Sequence, residues 1–463
     1  MVKPVSITGG DLTDHQVGTD DVLSGAANAI NFLYGDAGGS LLDHATGGND
    51  TIVTPGAGDL FGDAVRNLAD HAQGGDDTLT ATIASSSPVT LNMYGDAGAD
   101  ISDHANGGND TLFAQVSGAA PAVVKMYGDA GGSLFDHAHG GNDTLGTGPG
   151  TASNFTLYGD AGKDMSGKAA GGDDTFDLSA FQNTATIYGD AGGSIGDRAV
   201  GGNDIVTDGS SEGLITFYGD AGGNMSGHAH GGYDTLNTGL EDRVVFYGDA
   251  GGALSDHAIG GDDSMNVASA GPVLAYGDAA SMSGSARGGN DSLIVRAQLF
   301  ANDVLVGDAQ TMSGNAHGGN DVLGVDAVRH LEGTITLIGD AQTMSGNACG
   351  GNDTLISGNG NDDMWGDAQL MLGHARGGND TFVFNFNNGQ DRIEDFGQGI
   401  CGTGSNQGTD HIDVTALGIA SFSQLDISAF DPATHESTII FSPGNDVVVH
   451  SQEALRPQDF LFA

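Results

Sequence analysis

From Tyr34 onward the chain repeats one arrangement of apolar and polar positions. In "YGDAGGSLLDHATGGNDTI", residues 34 to 52, one apolar side chain stands two places before an aspartate. A second stands nine places before a later aspartate, and a third two places after it. The arrangement returns as "MYGDAGADISDHANGGNDTL" at 93 to 112 and "MYGDAGGSLFDHAHGGNDTL" at 126 to 145. Alignment on Gly-Asp-Ala gives twelve units spaced 27 to 33 residues apart. A period of that size is the signature of a solenoid, each repeat forming one coil. The first apolar column runs from Tyr34, Phe61 and Tyr94 to Val306, Ile338 and Trp365. The second runs from Leu41, Leu68 and Ile101 to Met282, Met312, Met344 and Met371, and the third from Ile52, Leu79 and Leu112 to Leu355 and Phe382. Each column takes several apolar types and no polar one, which predicts a buried stack filled by volume.

Other columns do not drift. The first aspartate, the alanine after it, the alanine of "DHA" and the two glycines of "GGND" stand in all twelve units, as does the second aspartate. The alanines predict tight packing, and the glycines a left-handed backbone or the close approach of another backbone. The two aspartates are 14 residues apart in units one to eight and 13 in units nine to twelve, where "AGGS" becomes "AQT". From the second aspartate to the next unit the length varies more, as in an ordinary surface loop. The loop between the aspartates therefore has a defined shape.

Residues two apart in a strand share a face. On entry to the loop the order is apolar, Gly, Asp, and on exit Asp, Thr, apolar, so both carboxylates are predicted to point inward at the mouth of a turn. The first column is Asp36, Asp63, Asp96, Asp129, Asp160, Asp190, Asp220, Asp249, Asp278, Asp308, Asp340 and Asp367. The second is Asp50, Asp77, Asp110, Asp143, Asp174, Asp204, Asp234, Asp263, Asp291, Asp321, Asp353 and Asp380. Stacked coils bring each carboxylate to about 4.8 Å from its copy. Bare charges at that distance repel by roughly 1 kcal/mol in water and several times more at lower dielectric. A divalent cation with oxygen ligands removes the difficulty. Ca²⁺ suits such sites, so all twenty-four aspartates are candidate calcium ligands.

The composition narrows the function. The 463 residues hold 61 acidic side chains against 13 basic ones, a formal charge of −48. That excludes nucleic acid and anionic lipid as direct partners, since both need a basic surface. Two cysteines, Cys349 and Cys401, are too few for a disulfide framework. No apolar run is long enough to span a membrane, and "MVKPVSITGGDLTDH" lacks the apolar core of a cleavable signal peptide.

"GNGNDDMWG" at 358 to 366 resembles the glycine- and aspartate-rich nonapeptide of repeats-in-toxin proteins. "GAGDLFGDA" at 56 to 64 is a looser match, and each "GGNDTL" resembles the second half of that motif. The resemblance implies a parallel β-roll with calcium in the turns between coils. The inserted "GGSLLDHA" or "QTMSGNA" departs from that family's shorter coil. The expected fold is all-β: a right-handed parallel β-solenoid of about twelve coils over residues 34–382, a partial coil over 1–33 suggested by "DHQVGTDDVL", and a C-terminal β cap over 383–463. That last segment also resembles the C-terminal region of family members exported by type I secretion. Its end, Asp459 followed by Phe460, Leu461, Phe462 and Ala463, resembles their uncleaved signal, which implies the type I secretion machinery as a partner.

Histidine occupies the "DHA" column at His44, His71, His104, His137, His228, His257 and His374. Lys168, Arg198, Ser285, Asn315 and Asn347 share that column, which reads as a wet outer edge more readily than a metal ladder. The aspartate of "DHA" (Asp43, Asp70, Asp103, Asp136, Asp197, Asp256) is glycine in the other six units and fits either an extra ligand or a turn cap. Threonine follows the second aspartate in eight units, an outward column too broken to be a strong ice-binding signal. No catalytic motif appears, although the long segments after units two, three and ten have room for unrepeated residues. The expectation is a secreted, extracellular or cell-surface calcium-binding scaffold that folds on Ca²⁺ and is not an enzyme, with cell-surface polysaccharide or self-association as candidate contacts. The alternative is a carbohydrate-active solenoid enzyme of the polysaccharide lyase or epimerase kind.

Overall fold

The structure is a computed structural model that describes residues 9–27, 29–118, 120–150, 153–178, 184–209, 213–241, 243–269, 271–298, 302–325, 334–397 and 409–463. It is all-β, a parallel β-solenoid of about twelve stacked coils with a distinct C-terminal region. The chain falls into two compact units, Met1–Gly239 with Asp249–Gly252, and Leu240–Gly248 with Ala253–Ala463.

In the first unit each coil contributes two short strands, one leading into the aspartate loop and one leading out. Outgoing strands Thr51–Thr54, Thr78–Ser85, Thr111–Gly118 and Thr144–Thr147 pair in parallel, so that Ile52 faces Leu79, Leu79 faces Leu112 and Leu112 faces Leu145. Incoming strands Asn31–Tyr34, Gly58–Phe61, Val89–Tyr94 and Ala122–Tyr127 form the second sheet. The inserted segment makes a third face through single bridges, Ala37 to Ala64 to Ala97 and Leu41 to Leu68 to Ile101. Residues 12–24 continue this pattern below the first full coil, since Leu12 bridges Leu41, Val17 bridges Thr46 and Val22 pairs with Thr51.

The second unit keeps both sheets and turns the third face into regular strands. Ala279–Met282, Ala309–Met312, Ala341–Met344 and Ala368–Met371 pair in parallel where the loop is one residue shorter. The ladder runs on past residue 382. Gln390–Phe396 joins Asp363–Trp365, and His411–Asp413 joins Thr381–Val383. The antiparallel pair Glu436–Ser442 and Asn445–Ser451 then covers that edge, and Phe460–Leu461 pairs with Ile412 and Asp413.

The core departs from the expectation in one respect. The second and third apolar columns are buried almost throughout, but the aromatic column is not the inner one on the incoming strand. There the inward side chains are one place earlier: Leu60, Met93, Met126, Leu157, Ile187 and Phe217, all fully buried. Tyr94, Tyr158 and Tyr188 lie half-buried on the outer face, whereas Tyr276, Val306 and Ile338 of the same column are buried and pack as a cluster of their own, as the expectation had it. The outer rings stack, with centroids 4.8 Å apart for Phe61–Tyr94 and Tyr94–Tyr127 and 4.6 Å for Tyr127–Tyr158. Strand parity does not carry through to the aspartate, because the strand ends at the aromatic residue and the chain bends over the next two. The bend turns the aspartate inward although the aromatic two places before it faces out.

Candidate metal centre

The bend places the first aspartate under the loop it opens. Asp36 accepts from the backbone N–H of Gly48 at 2.6 Å, Asp63 from Gly75 at 2.8 Å and Asp96 from Gly108 at 2.9 Å, and the contact recurs in Asp308 with Gly319 and Asp340 with Gly351. The second aspartate opens the outgoing strand, where parity does hold: Asp50 and Ile52 face in and Thr51 faces out. Its Oδ1 accepts from the backbone N–H of the corresponding aspartate one coil earlier. The ladder runs Asp50 to Asp77, Asp77 to Asp110, Asp110 to Asp143, Asp143 to Asp174 and Asp174 to Asp204, at 2.5 to 2.7 Å.

The invariant glycines follow from crowding, not from a left-handed backbone. A Cβ on Gly108 would lie 1.7 Å from the carbonyl oxygen of Gly75, and one on Gly74 would lie 1.7 Å from Oδ1 of Asp96. Before the first aspartate, a Cβ on Gly95 would meet both the carbonyl oxygen of Gly128 and Oδ2 of Asp110. Oxygen atoms of two coils thus converge where a side chain would stand.

All twenty-four predicted aspartates are buried, none more than 2 % exposed. Oδ2 of Asp50, Asp77, Asp110, Asp143, Asp174 and Asp204 meets no hydrogen-bond donor, nor does one oxygen of Asp63, Asp96, Asp308, Asp321, Asp340 or Asp353. The first-column carboxylates also approach one another, Asp96 lying against both Asp63 and Asp129. Two carboxylates in that contact need a proton or a cation between them. Burial, reinforced by Asp96 and Asp36, raises the Asp63 carboxyl well above the usual range, and burial with Asp174 does the same for Asp143. Burial pushes Asp50 up to about 8 and Asp308 up to about 7.

At the first full coil the two columns meet. Asp36, Asp50 and Asp63 each offer an oxygen, all within 4.8 Å of one another, and all three residues are buried. This is a buried acidic cluster able to coordinate a cation. Its donors are oxygens only, the chemistry of a hard divalent ion, and the unpartnered carboxylate oxygens fit such an ion.

The columns extend further than the sequence reading carried them. Asp395 accepts from the backbone N–H groups of Gly366 and Asp367, and Asp410 from those of Asp380 and Gly397, so these two buried residues take the first and second positions of a further coil. "TDHI" at 409 to 412 has the Asp-x-apolar pattern of "NDTL" and was the available signal. At the front, Asp21 donates its N–H to Asp50.

The remaining columns settle as turn and surface. Asp43, Asp70, Asp103, Asp136, Asp197 and Asp256 have φ of 59 to 64°, and the glycines at the same place, Gly167, Gly227, Gly284, Gly314, Gly346 and Gly373, have φ of 70 to 75°. Asp, Asn and Gly are the residues that reach this left-handed region at low cost. These aspartates are exposed, and Oδ2 of Asp70 accepts from the backbone N–H of Asp43. The turn role fits this backbone, which glycine adopts in the other six units. The histidine column is exposed, and the threonine column faces out but is broken at Ile205 and Val322. The segments after units two and three are in-register sheet extensions, while residues 326–333 after unit ten lie outside the described residues. Among the described residues no helix is long and apolar enough to cross a membrane. Cys349 is buried and disulfide-bonded, and Cys401 lies outside the described residues.

No family model, no curated protein and no solved structure matches the chain.

Proposed function

We propose that this protein is a calcium-dependent repeat scaffold that acts outside the cell and is not an enzyme. The supporting observation is the double column of buried, under-satisfied aspartates. Twenty-four carboxylates packed in a β-solenoid need either protons or cations, and at neutral pH with millimolar calcium the cation is the better partner. Calcium occupies the space between Asp36, Asp50 and Asp63, with further ions expected along the two aspartate columns, and folding is linked to binding because no such site exists in the unfolded chain. The chain stays unfolded where calcium is scarce and folds where calcium is plentiful. The disulfide-bonded Cys349 fits an oxidising destination. The repeats-in-toxin resemblance supports the same reading.

The test is far-ultraviolet circular dichroism of the full chain in chelator, followed by titration with Ca²⁺ and separately with Mg²⁺. A cooperative gain of β-structure with Ca²⁺ alone is the expected result. A chain already fully folded in chelator at neutral pH overturns the reading.

A further inference from the structure

We propose that the exposed edge formed by His15, His44, His71, His104 and His137 binds divalent transition-metal ions between successive imidazoles, separately from the aspartate columns. Each of these histidines follows an aspartate in a left-handed turn: Asp14, Asp43, Asp70, Asp103 and Asp136, with φ of 60 to 64°. The turn carries the imidazole outward, and all five histidines are exposed. Backbone bonds fix their spacing, because the N–H of each donates to the carbonyl of the turn aspartate one coil earlier: His44 to Asp14, His71 to Asp43, His104 to Asp70 and His137 to Asp103, at 2.7 to 2.8 Å. The ring centroids are consequently 5.0, 4.9, 5.1 and 4.7 Å apart in sequence, and the last two pairs are parallel within 5°.

That spacing suits a shared ion. Metal–imidazole bonds of about 2.0–2.1 Å ask for nitrogens roughly 3–4 Å apart, which a rotation of neighbouring rings about their side-chain bonds supplies. The chemistry separates this edge from the buried columns, since neutral imidazole selects Zn²⁺, Ni²⁺ and Cu²⁺ while oxygen-only sites take Ca²⁺. A strongly acidic chain raises the local concentration of cations, and the turn carboxylates add to that field. The ladder also has a physical end. In the next two coils the column holds Lys168 and Arg198, which supply no imidazole and line one open groove with Asp136, His137, Asp197 and His228, so the run of neighbouring histidines stops there.

The experiment is Cu²⁺ titration of the full chain in saturating Ca²⁺, followed by calorimetry and electron paramagnetic resonance. Calcium fills the aspartate sites, so a failure here is distinguishable from failure of calcium-linked folding. Wild type is expected to show bound copper with hyperfine coupling to imidazole nitrogen. His44→Asn with His104→Asn leaves no two neighbouring imidazoles on this edge and should weaken copper binding by about a hundredfold, the scale of losing one of two linked contacts. Asparagine already stands in this column at Asn315 and Asn347, so the variant keeps the fold. His374→Asn, whose neighbour one coil earlier is Asn347, should leave copper binding unchanged. Copper bound without nitrogen hyperfine coupling, or an unchanged affinity in the double variant, overturns the proposal.

Discussion

The backbone N–H of Asp110 donates to Oδ1 of Asp143, one coil further on, at 2.6 Å, while Oδ2 of that carboxylate meets no donor. One oxygen holds the coils in register and the other is left for a ligand. Asp143→Asn separates these roles, because an amide oxygen can still accept from Asp110 while the negative charge is gone. In chelator the variant should be more stable than wild type by about 1–3 kcal/mol, since a buried like-charged group has been neutralised. In saturating calcium it should be less stable and bind less calcium. Asp143→Ala should lose a further 1–3 kcal/mol or so in both conditions by stranding the Asp110 N–H. Denaturant unfolding in saturating calcium, and in chelator at about pH 5 where the metal-free chain is expected to fold, checks the reversal, and a loss of equal size in both conditions speaks against the ligand role.

Acid should fold the metal-free protein. Burial pushes Asp50 up to about 8, Asp308 to about 7 and Asp190 to about 6, whereas carboxylates of an unfolded chain titrate near 4. Without metal the folded state then holds more protons than the unfolded one. Its stability is fully present below about pH 4 and is lost as pH rises through the folded values. Circular dichroism in chelator should show more β-structure at about pH 5 than at about pH 8, where the buried carboxylates ionise. Calcium should reverse the sign, because it binds the deprotonated groups and is released on acidification. Equal β-content in chelator at both pH values would contradict the assignment.

The coil, its two aspartate columns and the fixed glycines were legible because twelve copies exposed which positions vary. Periodicity shows that a residue is constrained, but not by what. Gly108 is constrained by a neighbouring backbone and not by its own φ, and the Asp43 column stands in a left-handed turn. Tyr94 was read as core because parity was carried through a bend that two-residue alternation cannot register, while the inward Met93 went unmarked. Asp395 and Asp410 were missed because "DFGQG" and "GTDHI" belong to a coil whose inserted segment differs from the other twelve.

The left-handed turn predicts a substitution order at Asp103, φ 61°. Asp103→Gly should be neutral or slightly stabilising, as the column already accepts glycine in six coils. Asp103→Val should cost about 1–3 kcal/mol, because a β-branched residue reaches this region only under strain. Neither should change the number of calcium ions bound, which calorimetric titration of the two variants measures. A lost calcium site in Asp103→Gly would restore the ligand role for this column.

Two glycines of similar appearance should behave oppositely. At Gly108 an added methyl would stand 1.7 Å from the carbonyl oxygen and 2.5 Å from the carbonyl carbon of Gly75, backbone atoms that move only if adjacent coils separate. Gly108→Ala should therefore cost about 3 kcal/mol or more and disturb the neighbouring carboxylate, since the same N–H donates to Asp96. At Gly196 the nearest atom to an added methyl is Oγ of Ser226 at 3.8 Å, and the column already holds alanine at Ala69. Gly196→Ala should gain about 0.4–1 kcal/mol by restricting the unfolded chain. Thermal unfolding of both variants in saturating calcium decides the matter. A tolerated Gly108→Ala would mean that the coils can part at the metal loops without loss, and the close approach would then no longer explain why this glycine never varies.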